Sequence, residues 1–179
     1  IFVMPETQEL FEESIKLLGT ALGCEGKADE LLSFIDTNLS EMKDAVKDEE
    51  KPRVYLSGNS DFLLTAGPEM YQNNLIVNAG GDNVAKDLSD TYWASTSYEQ
   101  ILSWDPEYII LASDASYSVD DVLSDKNLAE CTAVKSGNVY KMPNDIESFD
   151  SPVPASILGN LWLASTLHPE KYSVENYNN

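Results

Sequence analysis

The sequence is poor in basic and metal-binding side chains. It contains 11 lysine and arginine residues against 31 aspartate and glutamate residues, which gives a formal net charge of -20. Such a chain repels phosphate groups and offers no basic stripe, so nucleic acid is not an expected partner. Arg53 is the single arginine and His168 the single histidine, which leaves too few side chains for most arginine clamps or for a multi-histidine metal site.

Cysteines and long apolar runs are also scarce. Cys24 and Cys131 match no metal-binding spacing and are predicted to be two unpaired thiols, although a disulfide between them stays open. No apolar run approaches the roughly 18 to 20 residues of a membrane-spanning helix. The sequence also lacks a nucleophile elbow, a phosphate-binding loop and a dinucleotide-binding fingerprint. It therefore predicts no catalytic residue, no bound metal and no cofactor.

What the sequence does contain is a change of pattern near Pro52. Before it, apolar residues recur at helical spacing over residues 6–22 and, in a longer stretch, over residues 27–48. After it, short apolar runs alternate with helical stretches and turn residues. This alternation is typical of an α/β domain with a mostly parallel sheet flanked by helices.

The chain of 179 residues has the size of one domain or of two small ones. Residues 1–5 are predicted to form a short buried strand, and residues 82–95 a loop. The start of the sequence shows no signal peptide and no lipid-attachment cysteine, so the chain is expected to begin within a longer protein. Further elements are predicted as strands at 53–56, 108–111 and 138–142 and as helices at 68–77, 119–123, 127–131 and 154–167.

The stretch over residues 93–111 stands out, reading Trp-Ala-Ser-Thr-Ser-Tyr-Glu-Gln-Ile-Leu and then, from Trp104, Trp-Asp-Pro-Glu-Tyr-Ile-Ile-Leu. Thr96 with Glu99, or Ser97 with Gln100, forms a capping-box pattern that opens a short helix. Glu99 is therefore predicted in the first helical turn, where the helix dipole favours a carboxylate. A plain capping role is one interpretation of Glu99.

Four segments, in this order, resemble the substrate-binding proteins of ABC importers for ferric siderophores, haem, cobalamin and, in some members, molybdate or tungstate. The segments are Ala-Gly-Gly-Asp-Asn-Val-Ala at 79–85, Ser-Tyr-Glu-Gln-Ile-Leu-Ser-Trp-Asp-Pro-Glu-Tyr-Ile-Ile at 97–110, Ala-Val-Lys-Ser-Gly-Asn-Val-Tyr at 133–140, and Leu-Gly-Asn-Leu-Trp-Leu-Ala through His-Pro-Glu at 158–170. Each motif alone is weak, but the four together, in the family's order, are fairly specific.

The resemblance implies two α/β lobes joined by one rigid helix, with a metal chelate bound in the cleft between them. Residues 1–26 would end the N-terminal lobe, 27–51 would form the connecting backbone helix, and 52–179 the Rossmann-like C-terminal lobe. Most of the first lobe would lie outside this chain. The resemblance further implies docking to ABC importer permease subunits, no enzymatic activity, and an extracytoplasmic location, either periplasmic or as a cell-surface lipoprotein, with membrane contact only through the permease or an upstream lipid anchor.

The resemblance also suggests roles for individual residues. Glu99 takes the place of the second-lobe glutamate that pairs with permease arginines in this family. Trp93 matches an aromatic residue that packs against ligand in cobalamin-binding members, with core packing as the alternative. Tyr71 and Phe149 are further ligand-binding candidates from their positions in loops or helix starts, and for both of them core or surface packing is the alternative.

A second class of function remains open at this point. A doubly wound α/β domain that binds a small molecule at the carboxyl ends of its strands could equally be an enzyme or a cofactor-carrying domain.

The shortage of arginine also argues against an anionic catecholate siderophore as the ligand.

Overall fold

The computed structural model describes residues 1–3, 5–88 and 92–173. The helices are α1 (Gln8–Leu22), α2 (Glu25–Val46), α3 (Tyr71–Asn78), α4 (Tyr98–Trp104), α5 (Val119–Leu123), α6 (Thr132–Ser136) and α7 (Ser156–Leu167), with a 3₁₀ turn at Lys126–Leu128. The strands are β1 (Arg53–Ser57), β2 (Leu64–Ala66), β3 (Asp82–Asn83), β4 (Trp93–Ser95), β5 (Tyr108–Leu111) and β6 (Val139–Lys141).

The first two helices form a tight hairpin. The Thr7 hydroxyl accepts a hydrogen bond from the Leu10 amide at the start of α1, and Gly23 ends the helix at φ 65°, a conformation that favours glycine. Gly19 then meets Ala28 of α2 so closely that an added Cβ would lie 2.6 Å from the Ala28 Cβ. The hairpin therefore depends on a small residue at each of these two positions.

Five of the strands lie side by side in the order β4-β2-β1-β5-β6. Strand β1 pairs in parallel with β5, and β5 pairs in parallel with β6. Strand β2 runs antiparallel to both β1 and β4, while the two-residue β3 pairs in parallel with the start of β1. The carboxyl ends of β1, β5 and β6 consequently meet at one edge of the sheet.

Strand alternation divides the apolar residues between the two faces of the sheet. Val54 and Leu56 join a buried cluster that includes residues of α2, α3 and α7, whereas Tyr55 faces a second cluster with residues of α4, α5 and α6. On β5, Ile110 joins the first cluster and both of its neighbours join the second. The result is the predicted α/β architecture, with helices on both faces of a mostly parallel sheet.

The sequence predictions for the individual elements were partly right. Both N-terminal helices and the strands at 53–56, 108–111 and 138–142 are confirmed within a few residues. The predicted strand at 1–5 is wrong for the described residues, because Ile1 and Phe2 are 82% and 84% exposed and pair with no described strand; Met4 lies outside the described residues. The predicted loop at 82–95 instead contributes β3 and β4, and the predicted helix at 127–131 is a 3₁₀ turn followed by α6.

The cysteines and the helix lengths agree with the sequence analysis. Cys24 is half-buried and Cys131 is buried, and both thiols are free. Among residues 1–3, 5–88 and 92–173, no helix is both long enough and apolar enough to cross a membrane.

The loop between β6 and α7 is fastened to the rest of the domain by buried contacts. The Asp150 carboxylate accepts a hydrogen bond from the Ser113 amide at 3.3 Å, and the Asp150 carbonyl accepts one from Gln72 Nε2 at 2.9 Å. The Phe149 carbonyl lies against Gly159 of α7, where an added Cβ would be only 2.3 Å from the oxygen. Burial raises the pKa of Asp150, because removal from water disfavours the charged form.

The contact at Gly159 predicts a large effect of adding one methyl group. Gly159→Ala forces the loop backbone away from α7, and overpacking of this kind costs about 1–3 kcal/mol of the free energy of unfolding. Urea denaturation followed by circular dichroism measures the change. The matched control is Gly26→Ala in α2, where an added Cβ meets nothing within 4 Å. The control is expected to leave stability unchanged or slightly raised, and equal losses in both variants would contradict the packing argument.

The buried carboxyl of Asp150 predicts a pH-dependent difference between the wild-type protein and Asp150→Asn. The carboxyl group of an aspartate in the unfolded chain has a pKa of about 3.9. The pKa of Asp150 in the folded protein is higher than this value. Between these two values the folded state binds more protons, so the wild-type free energy of unfolding falls as pH rises through the window. Asparagine does not titrate and can still accept from the Ser113 amide.

We therefore expect the stability of Asp150→Asn relative to wild type to increase from about pH 4 upward and then to level off. Urea denaturation at a series of pH values tests this expectation, with the exposed Asp120→Asn as the control for net charge. A relative stability that stays constant over the pH series would show that Asp150 has no raised pKa.

Candidate functional site

Polar side chains gather where β5 and β6 end. Ser113 and Asp114 follow β5 closely, and Asn144 follows β6, which pairs in parallel with β5. We call these residues, together with Ser148 and Asp150 of the following loop, the carboxyl-edge cluster. In α/β sheets, ligands bind outside the carboxyl ends of the strands, so this cluster lies where a ligand is expected.

Hydrogen bonds connect the members of the carboxyl-edge cluster. Asn144 Nδ2 donates to Asp114 Oδ1 at 3.1 Å, and the Ser148 hydroxyl donates to Asp114 Oδ2. The Ser113 hydroxyl donates to the Pro143 carbonyl at 3.0 Å. The loops after β5 and β6 are thereby held to each other through side chains.

The two carboxyl groups of the cluster differ in their electrostatics. The hydrogen bond from Ser148, supported by that from Asn144, lowers the pKa of the exposed Asp114. The buried Asp150 has a raised pKa, as described above. Asp114 is therefore the member of the cluster that presents a negative charge to solvent at neutral pH.

Trp93 lies on the edge strand β4, where it pairs with Ala66 of β2. Its neighbour Ala94 is buried, whereas Trp93 and Ser95 lie on the exposed side of the strand. Trp93 is 36% exposed and belongs to neither buried cluster. The structure thus favours an accessible aromatic surface over the core packing that the sequence left as an alternative.

Glu99 lies in the first turn of α4 and is fully exposed. The Ser97 hydroxyl caps this helix by accepting from the Gln100 amide at 3.2 Å, so the capping pattern that pairs Thr96 with Glu99 is not formed. Its own backbone N–H and the Ser97 hydroxyl lower the pKa of Glu99. Among the described residues, no lysine or arginine forms an ion pair with this carboxylate.

Tyr71 and Phe149, the other two predicted ligand-binding residues, lie in the same buried cluster. Tyr71 is 2% exposed, donates to the Ser156 hydroxyl at 2.7 Å and packs edge-on against Phe11. Burial raises its pKa to about 12. Phe149 is 8% exposed. Both residues thus occupy the core position that the sequence analysis kept as the alternative, and a ligand contact for either stays a prediction.

The sequence analysis missed the carboxyl-edge cluster. Its signal was present, because Ser113, Asp114 and Asn144 lie within three residues of the ends of two predicted strands, 108–111 and 138–142. Within residues 1–3, 5–88 and 92–173, no group of three histidine, cysteine, aspartate or glutamate residues could hold a metal ion.

Comparison with known proteins adds a family assignment. The family described as periplasmic binding protein matches residues 1–146. The molybdate-binding protein MolA of Haemophilus influenzae is 27% identical over 165 residues, which cover 90% of this chain and 46% of MolA. An uncharacterized ABC transporter substrate-binding lipoprotein of Bacillus subtilis, YvrC, is 27% identical over 165 residues, which cover 89% of this chain and 50% of YvrC.

The fold comparison agrees with the sequence comparison. The crystal structure of a periplasmic solute binding protein from Veillonella parvula superposes with a TM-score of 0.83 at 28% identity. The match covers 97% of this chain and 54% of the Veillonella protein. This chain therefore spans about half the length of each of these three proteins. Because the family match extends over residues 1–146, from α1 through β6, the chain belongs to the periplasmic binding protein family.

Proposed function

We propose that this chain is the C-terminal portion of an extracytoplasmic solute-binding protein that delivers a metal chelate or oxyanion to an ABC importer. The protein captures the ligand in a cleft between two lobes without converting it and then docks to the permease subunits. The observation that carries this proposal is the family match over residues 1–146. The accessible Trp93 and the unpaired, charged Glu99 support it, since capture and docking each need an exposed group.

Exposed apolar side chains on the helical hairpin favour a second lobe. Leu10 and Leu17, seven residues apart and thus on one face of α1, are exposed, as are Leu22 and Phe34. Several large apolar side chains exposed on one helical hairpin favour a protein contact there. We propose that these side chains pack against the remainder of the N-terminal lobe, with residues 1–26 ending that lobe, 27–51 connecting the two lobes, and 52–179 forming the C-terminal lobe.

The charges near the carboxyl-edge cluster bear on the type of ligand. Arg53 lies at the opposite end of β1, where its guanidinium donates to the Asp105 carbonyl and lies 3.5 Å from Glu107. The cluster itself presents the Asp114 carboxylate, with Lys141 at the end of β6 as the nearby cation. This lobe alone offers little positive charge to a free oxyanion, so of the two ligand types we favour a neutral or cationic metal chelate.

The proposed function is tested on the full-length protein. Isothermal titration with molybdate, a ferric siderophore, haem and cobalamin is expected to give saturable binding of one ligand class at one site. Mass spectrometry of the released ligand is expected to find it chemically unchanged. Conversion of the ligand, or the absence of binding to all four classes, would contradict the proposal.

The accessible indole of Trp93 predicts a role in ligand affinity. Trp93→Leu removes an aromatic surface from the exposed side of β4, and an aromatic contact is worth about 0.5–1.5 kcal/mol beyond its area. We therefore expect the dissociation constant of the identified ligand to rise roughly threefold to tenfold, with little change in thermal stability. The control is Tyr140→Leu on the opposite edge strand, where the tyrosine is 37% exposed. Equal losses of affinity in both variants would exclude a specific role.

The unpaired carboxylate of Glu99 predicts a separation of binding from transport. Glu99→Gln keeps the size of the side chain and removes the charge, so ligand affinity should stay unchanged while docking weakens. Uptake of radiolabelled ligand in cells that carry the variant is expected to fall about tenfold, by loss of a charge-assisted pair. The matched control is Glu25→Gln, an exposed glutamate in the first turn of α2. Uptake that is unchanged in Glu99→Gln would show that Glu99 does not contribute to docking.

A further inference from the structure

A cavity of about 280 Å³ lies between the loop after β1, the start of α4 and the segment that follows β5. Its walls and rim combine two kinds of side chain. The aromatic members are Phe62, Tyr98 and Tyr117, and the acidic members are Asp61, Asp121 and Asp125. We call this cavity the acidic–aromatic pocket.

The aromatic walls are held in place by packing and hydrogen bonds. Phe62 stacks on Tyr98 with ring centroids 6.4 Å apart and meets Tyr117 edge-on at 6.0 Å. At the end of β1, the Tyr117 hydroxyl donates to the Gly58 carbonyl and lies 2.8 Å from Ser57 Oγ. These rings are therefore fixed surfaces. Their faces carry the negative side of the ring quadrupole, which attracts cations.

The carboxylates at the rim are positioned by backbone amides. Asp61 Oδ1 accepts from the Leu63 amide at 2.9 Å, and Asp125 Oδ1 accepts from the Asn127 amide at 2.9 Å. In the capping box of α5, Asp121 Oδ2 accepts from the Ser118 amide. Each aspartate thus uses one oxygen to fix its own loop or helix. For Asp61 and Asp121, the second oxygen accepts no hydrogen bond from the described residues.

No basic side chain in the described part of the protein neutralises this rim. The ion pairs of residues 1–3, 5–88 and 92–173 involve other carboxylates. A hydrogen bond to Asp125, together with burial, raises the pKa of Tyr98, and burial with a smaller contribution from the Asp61 charge raises that of Tyr117 to about 12. The aromatic ring faces and the uncompensated carboxylates beside them both attract a positively charged group.

The geometry points to an organic cation, a guanidinium or alkylammonium group, as the ligand of the acidic–aromatic pocket. A metal ion fits less well, because the three aspartates do not form a group that could hold one. A planar or alkyl cation can lie against the ring faces while its N–H groups donate to the free carboxylate oxygens. The residues of this pocket are not those assigned to ligand capture and docking, and only a protein-borne cation beside Glu99 would depend on the proposed import function.

The cation has two potential sources with the same chemistry. Tyr98 directly precedes Glu99 on α4, so the pocket could receive an arginine or lysine side chain from a protein bound nearby. A free small cation such as methylguanidinium would reach the pocket from solution. The two sources differ in whether a peptide backbone contributes to binding.

Titration of the full-length protein with defined probes tests the inference. The probes are Nα-acetylarginine amide, methylguanidinium and, as a neutral isostere, Nα-acetylcitrulline amide, with binding followed by NMR shifts of the tyrosine ring signals. We expect saturable binding of the two cations and none of the citrulline compound. Tighter binding of the arginine amide indicates a side chain as the source, and tighter binding of methylguanidinium indicates a free cation.

Charge-removing variants separate a specific pocket from general attraction to an acidic protein. Asp61→Asn and Asp125→Asn keep the oxygen that accepts the backbone amide, so folding should be preserved. Each is expected to weaken cation binding about fivefold, as loss of one charge at close range predicts. The control is Asp120→Asn, which removes the same charge from an exposed site on α5 outside the pocket. Equal binding of the citrulline compound, no saturation with either cation, or an equal effect of Asp120→Asn would overturn the inference.

Discussion

The parallel pairing of β1 with β5 is the contact on which the rest of this structure depends. Four residues of each strand are in register, from Val54 opposite Tyr108 to Ser57 opposite Leu111. Because both strands are central, their alternating side chains supply both buried clusters, and the helices on each face pack against them. The same pairing brings the two carboxyl ends to one edge, which places the Ser113–Asp114 turn beside the end of β1.

The sequence predicted those parts of the fold whose signal is local. Helical spacing identified α1 and α2, and the dense apolar runs at 53–56 and 108–111 identified the central strands. Strands β2, β3 and β4 have only two or three residues, too few for an alternating pattern, and they exist because β1 and β2 offer them partners. The predicted strand at 1–5 failed for the converse reason, since the described residues of this apolar run have no pairing partner among the described strands.

The sequence predicted only those residues of the candidate site that lie in a recognisable motif. Trp93 and Glu99 came from a family resemblance, and the structure gives both of them the exposure that their proposed roles need. Tyr71 and Phe149 are aromatic, as a ligand-contacting residue can be, but both lie in the buried cluster. Tyr71 is held there by Ser156 of α7 and Phe11 of α1, which are distant from it in sequence. Contacts across many residues also create the carboxyl-edge cluster, as in the bond between Ser148 and Asp114.

The close approach of Gly19 to Ala28 has a consequence for how the sequence can vary. With the glycine Cα already against a methyl group, neither position has room for a larger side chain unless α1 moves away from α2. The two positions are therefore sterically coupled across the turn at Gly23 and Cys24, which joins α1 to α2. We expect natural variation at one position to be restricted by the residue at the other. A larger side chain at position 19 would require a smaller one at position 28, and the two positions would not both become larger.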